Sequence, residues 1–219
     1  ARDTWTAKKG RDALVVEWDD SAAFKLGSDD ILARYRKLAD TPGLVARHDG
    51  DANAALADGG RVIRADYDFP YLAHAAMEPM NCVMQRTDDG LKVWNGEQFQ
   101  TVDQATLAGI FGLPPEQVTI EMLYAGGSFG RRACTQSDYL KEAAHIVKAS
   151  GTRAPVKLVW MREDDMKAGY YRPMFHHRLE ATLNADGSIR AWRHRLVGQS
   201  IITGSAFEAV MVKNGIDAV

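Results

Sequence analysis

A glycine-rich segment between a predicted strand and a predicted helix is the first feature of this sequence that could bind a ligand. Residues 126–132 have the sequence GGSFGRR. Glycines let a backbone approach a ligand closely and adopt positive φ, so that successive N–H groups point into one concavity. The two arginines and the N-terminus of the next helix would favour a phosphate or pyrophosphate. The glycine spacing matches neither the dinucleotide-binding fingerprint nor the P-loop, and a tight turn with exposed arginines explains the segment equally well.

Two groups of residues carry metal-ligating side chains. His74, Met77, Met80 and Cys82 lie close together in sequence, and imidazole with sulfur would suit copper or zinc. The intervening glutamate and proline interrupt the local geometry, however, and methionines more often fill hydrophobic cores. Residues 176–177 are both histidine, but neighbours in a strand point to opposite faces, so we interpret them as structural.

Hydrophobic periodicity and turn signals predict the elements that must position these residues. Helices are predicted at 5–12, from Ser28, from a capping box at 101–104, and from 135–138 to Gly151. Strands are predicted at 13–18, 62–69, 81–86, 91–94, 118–123, 155–160, 175–183 and 189–197. Hairpins mixed with isolated helices favour an α+β fold. The segment 47–60, rich in Asp, Ala and Gly, is predicted to be a linker, which divides the chain into 1–58 and 59–219.

The composition excludes several classes of protein. The 219 residues are 46% hydrophobic and 26% charged, with a net charge of -2. A nucleic-acid binder driven by electrostatics would show a basic excess, and a disordered chain would be less hydrophobic. The apolar runs are too short for a transmembrane helix. Cys82 and Cys134 cannot form a disulfide framework, and their one potential bridge is undecidable from sequence.

Four segments in this order resemble the large subunit of the molybdenum hydroxylases, the xanthine dehydrogenase and aldehyde oxidase superfamily. They are His74 with 77–79, then WNGEQ at 94–98, then GGSFGRR, then REDDM at 162–166 with Arg172-Pro173. The double arginine, YYRPMF at 170–175 and VGQSI at 197–201 are most similar to the isoquinoline 1-oxidoreductase β-subunit. The resemblance extends over essentially the whole chain.

The resemblance implies a molybdenum held by a pterin dithiolene, in the molybdopterin cytosine dinucleotide form, with no side-chain ligand to the metal. The residues that match the family's glycine loop against the cofactor are Gly126, Gly127, Ser128, Phe129, Gly130 and Arg131. Phe129 matches the phenylalanine that borders the active site, and Gln98 the glutamine that approaches the metal. Arg172 matches an arginine that orients substrate in the purine-oxidising branch.

Three positions depart from the family's pattern. Glu97 stands where relatives commonly have threonine, and Ser128 stands where a glycine is usual. Ala133 lies where the purine branch carries a substrate-binding glutamate, which argues against xanthine and leaves N-heterocycles and aldehydes as substrates.

The resemblance also implies an incomplete active site. The family's catalytic glutamate lies near the end of a much longer subunit, and no glutamate here matches it. Residues 1–58 resemble the end of the family's hammerhead domain, and 59–219 part of the molybdopterin-binding domain. The chain begins at Ala1 without a methionine, and we expect an internal fragment that is inactive alone.

The implied partners are an iron–sulfur electron-transfer subunit and, in some systems, a cytochrome c subunit, because this chain has too few cysteines for a cluster. The family implies twin-arginine export to the periplasm, with a cytoplasmic location as the alternative. A second hypothesis from another class stays open at this point: a non-catalytic module that binds anions or partners through residues 126–132.

Overall fold

The computed structural model describes residues 1–58 and 60–217, so positions 59, 218 and 219 of the second predicted segment lie outside the described residues. Helices and sheets alternate irregularly along the chain, which confirms the α+β class. The helices are α1 Thr4–Asp12, α2 Ser28–Leu38, α3 Ala52–Ala57, α4 Gln100–Phe111, α5 Asp138–Ser150, α6 Arg162–Lys167 and α7 Glu208–Met211. The strands are β1 Val62–Phe69, β2 Asn81–Arg86, β3 Leu91–Asn95, β4 Val118–Met122, β5 Val156–Val159, β6 Phe175–Leu183, β7 Ile189–Gly198, β8 Val212–Lys213 and β9 Ile216–Asp217.

A four-stranded sheet in the order β4-β3-β2-β5 carries the main hydrophobic core. Alternate residues of its strands face α4 and α5, as expected for strands with one buried face. The core comprises Met80, Cys82, Met84, Leu91, Val93, Leu107, Ala108, Val118, Tyr139, Leu140, Ala143, Ala144, Val147 and Trp160. Cys82 lies within it, and neither it nor Cys134 forms a disulfide.

Strands β3 and β4 are parallel, with Leu91 opposite Val118 and Asn95 opposite Met122. The chain crosses from one to the other through α4, which ends at Gly112 in the left-handed conformation (φ 66°) that glycine adopts at low cost. Parallel neighbours place their carboxyl ends at the same edge of the sheet, where ligands bind in many α/β folds. The loop after β3 and the glycine-rich loop after β4 therefore start side by side.

A second, three-stranded sheet in the order β1-β6-β7 is antiparallel. Its face toward α2 and α3 is charged: Arg36 pairs with Asp68, Arg178 with Asp40 and Asp66, and Glu180 with Arg64 and Arg193. Its other face carries Ile63, Tyr67, Trp192 and Leu196, which are all exposed. This sheet thus has its ionic face covered and its apolar face open.

The structure corrects three local predictions. The alternation at 13–18 does not form a strand, because these residues pair with no neighbouring strand and lie exposed. The predicted linker 47–60 contains α3, whose Asn53 accepts a hydrogen bond from Arg193 at 2.8 Å. Helix α4 starts at Gln100 with Phe99 as its N-cap, so the capping box at 101–104 was wrong. The division at residue 58 stays a prediction.

Within the described residues, none of the helices has both the length and the hydropathy needed to cross a bilayer.

Truncating the core should show how much stability the four-stranded sheet draws from α4. Leu107 is fully buried, so Leu107→Ala should lower the free energy of unfolding by about 2–5 kcal/mol through lost burial and the cavity left behind. Urea denaturation of the 219-residue chain measures this. Leu14→Ala, at a position 68% exposed, is the control and should change it by less than about 0.5 kcal/mol; equal losses would contradict this account of the core.

Candidate functional site

The two loops at the carboxyl ends of β3 and β4 are in direct contact. The N–H of Leu123 donates to the carbonyl of Asn95 at 2.8 Å. A Cβ on Gly96 would lie 2.7 Å from the Cβ of Ala125, too close for any side chain. Glycine at position 96 is therefore what lets the loop bearing Gln98 lie against the glycine-rich loop.

A buried arginine ties these loops to a third segment. The Arg132 side chain is 1% exposed. Its Nη1 donates to the Gly96 carbonyl at 3.1 Å, its Nε to the Gly127 carbonyl at 3.4 Å, and its Nη2 to Oε1 of Glu78 at 3.3 Å. A buried guanidinium needs such acceptors to offset its lost hydration. Its five donors in a rigid fork suit it to joining several chain segments at once.

Glu78 completes this junction from the other side. It accepts hydrogen bonds from Asn81 Nδ2 at 2.6 Å and from the N–H of Gly126 at 2.7 Å. The bond from Asn81, with that from Gly126 and the charge of Arg132, holds the pKa of Glu78 below its usual value despite partial burial. A Cβ on Gly126 would lie 2.6 Å from the Glu78 Cβ, so position 126 also needs glycine for close packing.

The two arginines do not point toward an anion, which corrects the expectation from sequence. Arg131 is 3% exposed and pairs with Asp138 at 2.5 Å, and it lies over the Trp160 ring, 5.5 Å from its centroid. Asp138 is the first residue of α5, so that helix N-terminus already faces a carboxylate of its own chain. The side chain of Arg131 is thus committed to the interior, and the loop must bind any anion through its backbone.

The backbone of the loop is suited to that task. Within the described residues, the N–H groups of positions 127, 128, 129 and 130 donate to no protein acceptor. Gly127, Phe129 and Gly130 have φ of 98°, 58° and 94°. Alternation between left-handed and other conformations turns successive N–H groups toward one side and forms a concavity for anions. Four donors in a row without a protein acceptor, on a loop that is partly to fully exposed, are available to an anionic ligand.

Phe129 is held in an unusual state on this loop. Its side chain is 77% exposed, and its backbone is left-handed, a conformation that is rare for a bulky residue. Neither burial nor ease of folding explains an exposed aromatic ring in a strained position, which is typical of functional sites.

Gln98 lies opposite the loop and is joined to it. The Ser128 hydroxyl donates to Oε1 of Gln98, and the N–H of Arg132 donates to Ser128 Oγ at 3.0 Å. Two residues that the sequence placed at the site, 30 positions apart, are therefore in contact.

Arg172 lies in a different environment. Its Nη2 donates to the carbonyl of Pro70 at 2.7 Å, its backbone pairs with Leu72, and its guanidinium lies 6.0 Å from the Phe69 ring centroid. No hydrogen bond among residues 1–58 and 60–217 joins it to Gln98 or to the glycine-rich loop. The structure thus brings Gln98 together with the loop and leaves Arg172 at the end of β1.

The potential metal ligands of the sequence do not assemble. His74 is half-buried, and burial together with the nearby charge of Arg131 lowers its pKa. Met77 is 89% exposed. His176 is buried against Asp68 at 2.7 Å, whereas His177 lies against His194 on the open face, as adjacent strand positions require. In the part of the chain that the structure describes, no three His, Cys, Asp or Glu side chains converge on a metal position.

A buried carboxyl pair beneath Gln98 was missed by the sequence analysis. Glu97 and Asp103 are both buried, and each has one oxygen without a hydrogen-bond donor. Burial, and a hydrogen bond with Glu97, raise the pKa of Asp103 to about 8. A proton held by Asp103 supplies the missing donor between the two groups. The one signal in the sequence was Glu97 itself, which departs from the threonine that relatives commonly carry.

Comparison with known proteins gives a consistent result. Residues 38–218 match the family described as the molybdopterin cofactor-binding domain. The chain is 32% identical over 210 residues to the isoquinoline 1-oxidoreductase subunit beta of Brevundimonas diminuta, covering 91% of this chain and 26% of that protein. It is 30% identical over 213 residues to a membrane-bound aldehyde dehydrogenase [pyrroloquinoline-quinone] of Gluconacetobacter polyoxogenes, covering 96% and 27%.

Among solved structures, quinoline 2-oxidoreductase from Pseudomonas putida 86 shares the fold. The TM-score is 0.58 at 19% identity, over 67% of this chain and 18% of that one. The chain therefore spans about a quarter of the length of the curated relatives that it matches.

The carboxyl pair should make the stability of the chain depend on pH. Asp103 has a folded pKa above its unfolded value of 3.8, so the folded state binds more protons between these two values. The free energy of unfolding should then fall as pH rises from about 4 toward about 8. Asp103→Asn keeps the shape and supplies a permanent N–H donor to Glu97, so it should remove much of that fall.

Urea denaturation of the 219-residue chain between about pH 5 and about pH 9 measures this difference. Asp89→Asn, in the exposed turn between β2 and β3, is the matched control and should leave the pH dependence as it is. If the free energy of unfolding of Asp103→Asn has the same pH profile as that of the unaltered chain, Asp103 does not hold a proton between the two carboxyl groups.

Proposed function

The chain belongs to the molybdopterin cofactor-binding domain family of the molybdenum-dependent oxidoreductases, and we propose that its glycine-rich loop and Gln98 form the surface that holds the cofactor. Membership confirms the resemblance inferred from the sequence. The assignment of particular residues to the cofactor is our proposal and rests on the geometry of the two loops.

The four unpaired N–H groups at 127–130 carry this proposal. A molybdopterin is anionic at its dithiolene and phosphate groups, and backbone N–H donors in a concavity bind anions without a charged side chain. Because Arg131 and Arg132 face inward, these N–H groups are the donors that the loop itself offers. Gly127 and Gly130 expose the backbone, because they have no Cβ that could keep a ligand away from it.

The molybdenum supplies two-electron redox chemistry when the cofactor is bound, which suits hydroxylation of a carbon with oxygen from water. Gln98 offers an oriented amide donor at the edge of the site. Phe129 presents an apolar ring that would exclude water and contact a flat substrate. Arg172 would orient the substrate, although its contacts with Pro70 and Phe69 require it to do so from the end of β1.

The activity of the whole protein is also a proposal. We infer hydroxylation of an N-heterocyclic aromatic or an aldehyde, since the named relatives include an isoquinoline oxidoreductase and an aldehyde dehydrogenase. Ala133 offers no carboxylate for a purine. The cofactor would be the cytosine dinucleotide form, the catalytic glutamate would come from outside these 219 residues, and electrons would pass to an iron–sulfur subunit.

The direct test is metal and pterin analysis of the full-length protein from a host that makes the cofactor. About one molybdenum and one pterin per protein are expected. A folded protein that contains neither would support the rival hypothesis, a non-catalytic anion-binding module that uses the same loop.

Replacing Gln98 tests its role as a donor. Gln98→Leu in the full-length enzyme should lower turnover by an amount equivalent to about 2–4 kcal/mol of barrier, as for other oriented donors, while molybdenum content stays near normal. Steady-state kinetics and metal analysis give both values. Gln136→Leu is the control, at an exposed position whose side chain makes no hydrogen bond with the described residues. A Gln98 variant with unaltered turnover would remove Gln98 from the site.

Replacing Gly127 tests the loop. Gly127→Ala introduces a side chain at φ 98°, which should cost about 1–2 kcal/mol and turn the N–H groups away from their common direction. We expect the full-length variant to fold but to lose most of its molybdenum and pterin. The measurement is cofactor content beside melting temperature.

Gly151→Ala is the matched control for this strain. Gly151 also has positive φ, 62°, with open space around it, but it ends α5 far along the chain from the loop. If cofactor content falls only in proportion to the melting temperature, and by the same proportion in both variants, Gly127 has only a structural role.

A further inference from the structure

A directed chain of hydrogen bonds ends at the side-chain amide of Gln98. The N–H of Arg132 donates to Ser128 Oγ at 3.0 Å, and the Ser128 hydroxyl in turn donates to Gln98 Oε1. A hydroxyl carries a single hydrogen. Because a backbone donor approaches its oxygen on one side, its hydrogen is free to point at Gln98 on the other.

The first donor in this series of hydrogen bonds, the N–H of Arg132, is fixed in place. The Arg132 side chain is buried, and its guanidinium bonds to Gly96, Gly127 and Glu78. The Arg132 backbone therefore has little freedom, and Ser128 Oγ is held where its N–H points. The donor-to-acceptor direction of the hydrogen bonds is thus set by Arg132, which its side chain holds in place.

The last hydrogen bond of the series, from Ser128 to Gln98, determines which atom of Gln98 faces the ligand. With Oε1 engaged by Ser128, the two donors of Nε2 have no acceptor among the described residues, and Gln98 is exposed, so they are available to a ligand. Without the hydroxyl, an amide at this position could turn over by rotation about its last bond and present its oxygen instead. An oxygen there would repel an anionic or oxygen-bearing ligand.

We propose that Ser128 is a positioning residue that fixes the amide of Gln98 with its Nε2 toward the bound cofactor and substrate. This inference rests on the proposed function of Gln98 and adds the device that orients it. A glycine, usual at this position in the family, has no side chain that could orient Gln98.

Four variants of the full-length enzyme test the proposal: Ser128→Ala, Ser128→Thr, Gln98→Leu and the Ser128→Ala/Gln98→Leu double variant. Ser128→Ala should lower kcat about three- to tenfold, the effect of one hydrogen bond, with KM and molybdenum content within about twofold. Ser128→Thr keeps the hydroxyl and should restore kcat. In the Gln98→Leu background, Ser128→Ala should have no further effect, because it acts only through the amide.

A readout independent of turnover is the electron paramagnetic resonance spectrum of the half-reduced molybdenum. It should shift in Ser128→Ala and in Gln98→Leu, and match the unaltered enzyme in Ser128→Thr. Ser128→Gly is a second deletion of the hydroxyl, and it should behave as the alanine variant does.

The outcomes separate this inference from the function on which it rests. If Gln98→Leu changes neither turnover nor the spectrum, the proposed role of Gln98 fails and Ser128 has nothing to position. If Gln98→Leu has its expected effect but Ser128→Ala matches the unaltered enzyme, or lowers kcat equally in both backgrounds, only the inference about Ser128 is overturned. Loss of molybdenum in Ser128→Ala also overturns it, since that result would mean that the Ser128 side chain holds the cofactor in the unaltered enzyme instead of orienting Gln98.

Discussion

The buried guanidinium of Arg132 is the interaction on which the rest of the candidate site depends. A cation without water must be satisfied by acceptors in fixed positions, and here these come from three segments, at Gly96, Gly127 and Glu78. Their geometry sets how closely the loops after β3 and β4 approach each other. The need for glycine at 96 and 126 follows, because any side chain there would push apart the segments that Arg132 joins. The outer side of the loop carries the exposed Phe129 ring and backbone N–H groups, and these donors are available to a ligand because the arginine faces the other way.

Much of the fold could be predicted because its signals are local. The hairpin of β2 and β3, the α5 helix and the pair β6 and β7 each follow from periodicity bounded by turn residues, and the glycine-rich loop was recognised from composition. Predictions failed where tertiary contacts decide. The alternation at 13–18 has no partner strand, and α4 begins at Gln100 with Phe99 rather than Thr101 as its N-cap, without a side-chain capping hydrogen bond. The direction of the two arginines depends on Asp138 and Glu78, and their positions along the chain give no sign of it.

The link between Ser128 and Gln98 shows a similar limit at the level of the site. Each residue was placed at the site by resemblance, but the contact exists because β3 and β4 run parallel and end at one edge. The pairing of Glu97 with Asp103 depends on the first turn of α4 lying beneath the same loop. Both contacts involve a residue that departs from the pattern expected of the family. A pattern of residue types cannot show such contacts, because they are a property of distances.

The two sheets are stabilised by different interactions, and they should therefore respond differently to dissolved salts. The four-stranded sheet is stabilised by burial of apolar side chains, which sulfate and similar salts strengthen. The three-stranded sheet meets α2 and α3 through ion pairs such as Arg36–Asp68 and Arg178–Asp40, which dissolved ions screen. Sulfate should therefore strengthen the packing of the four-stranded sheet while it screens the ion pairs on the charged face of the three-stranded sheet. Because exposed ion pairs are weak and α2 also buries Ile31, salt should loosen the contacts of that face without detaching its helices.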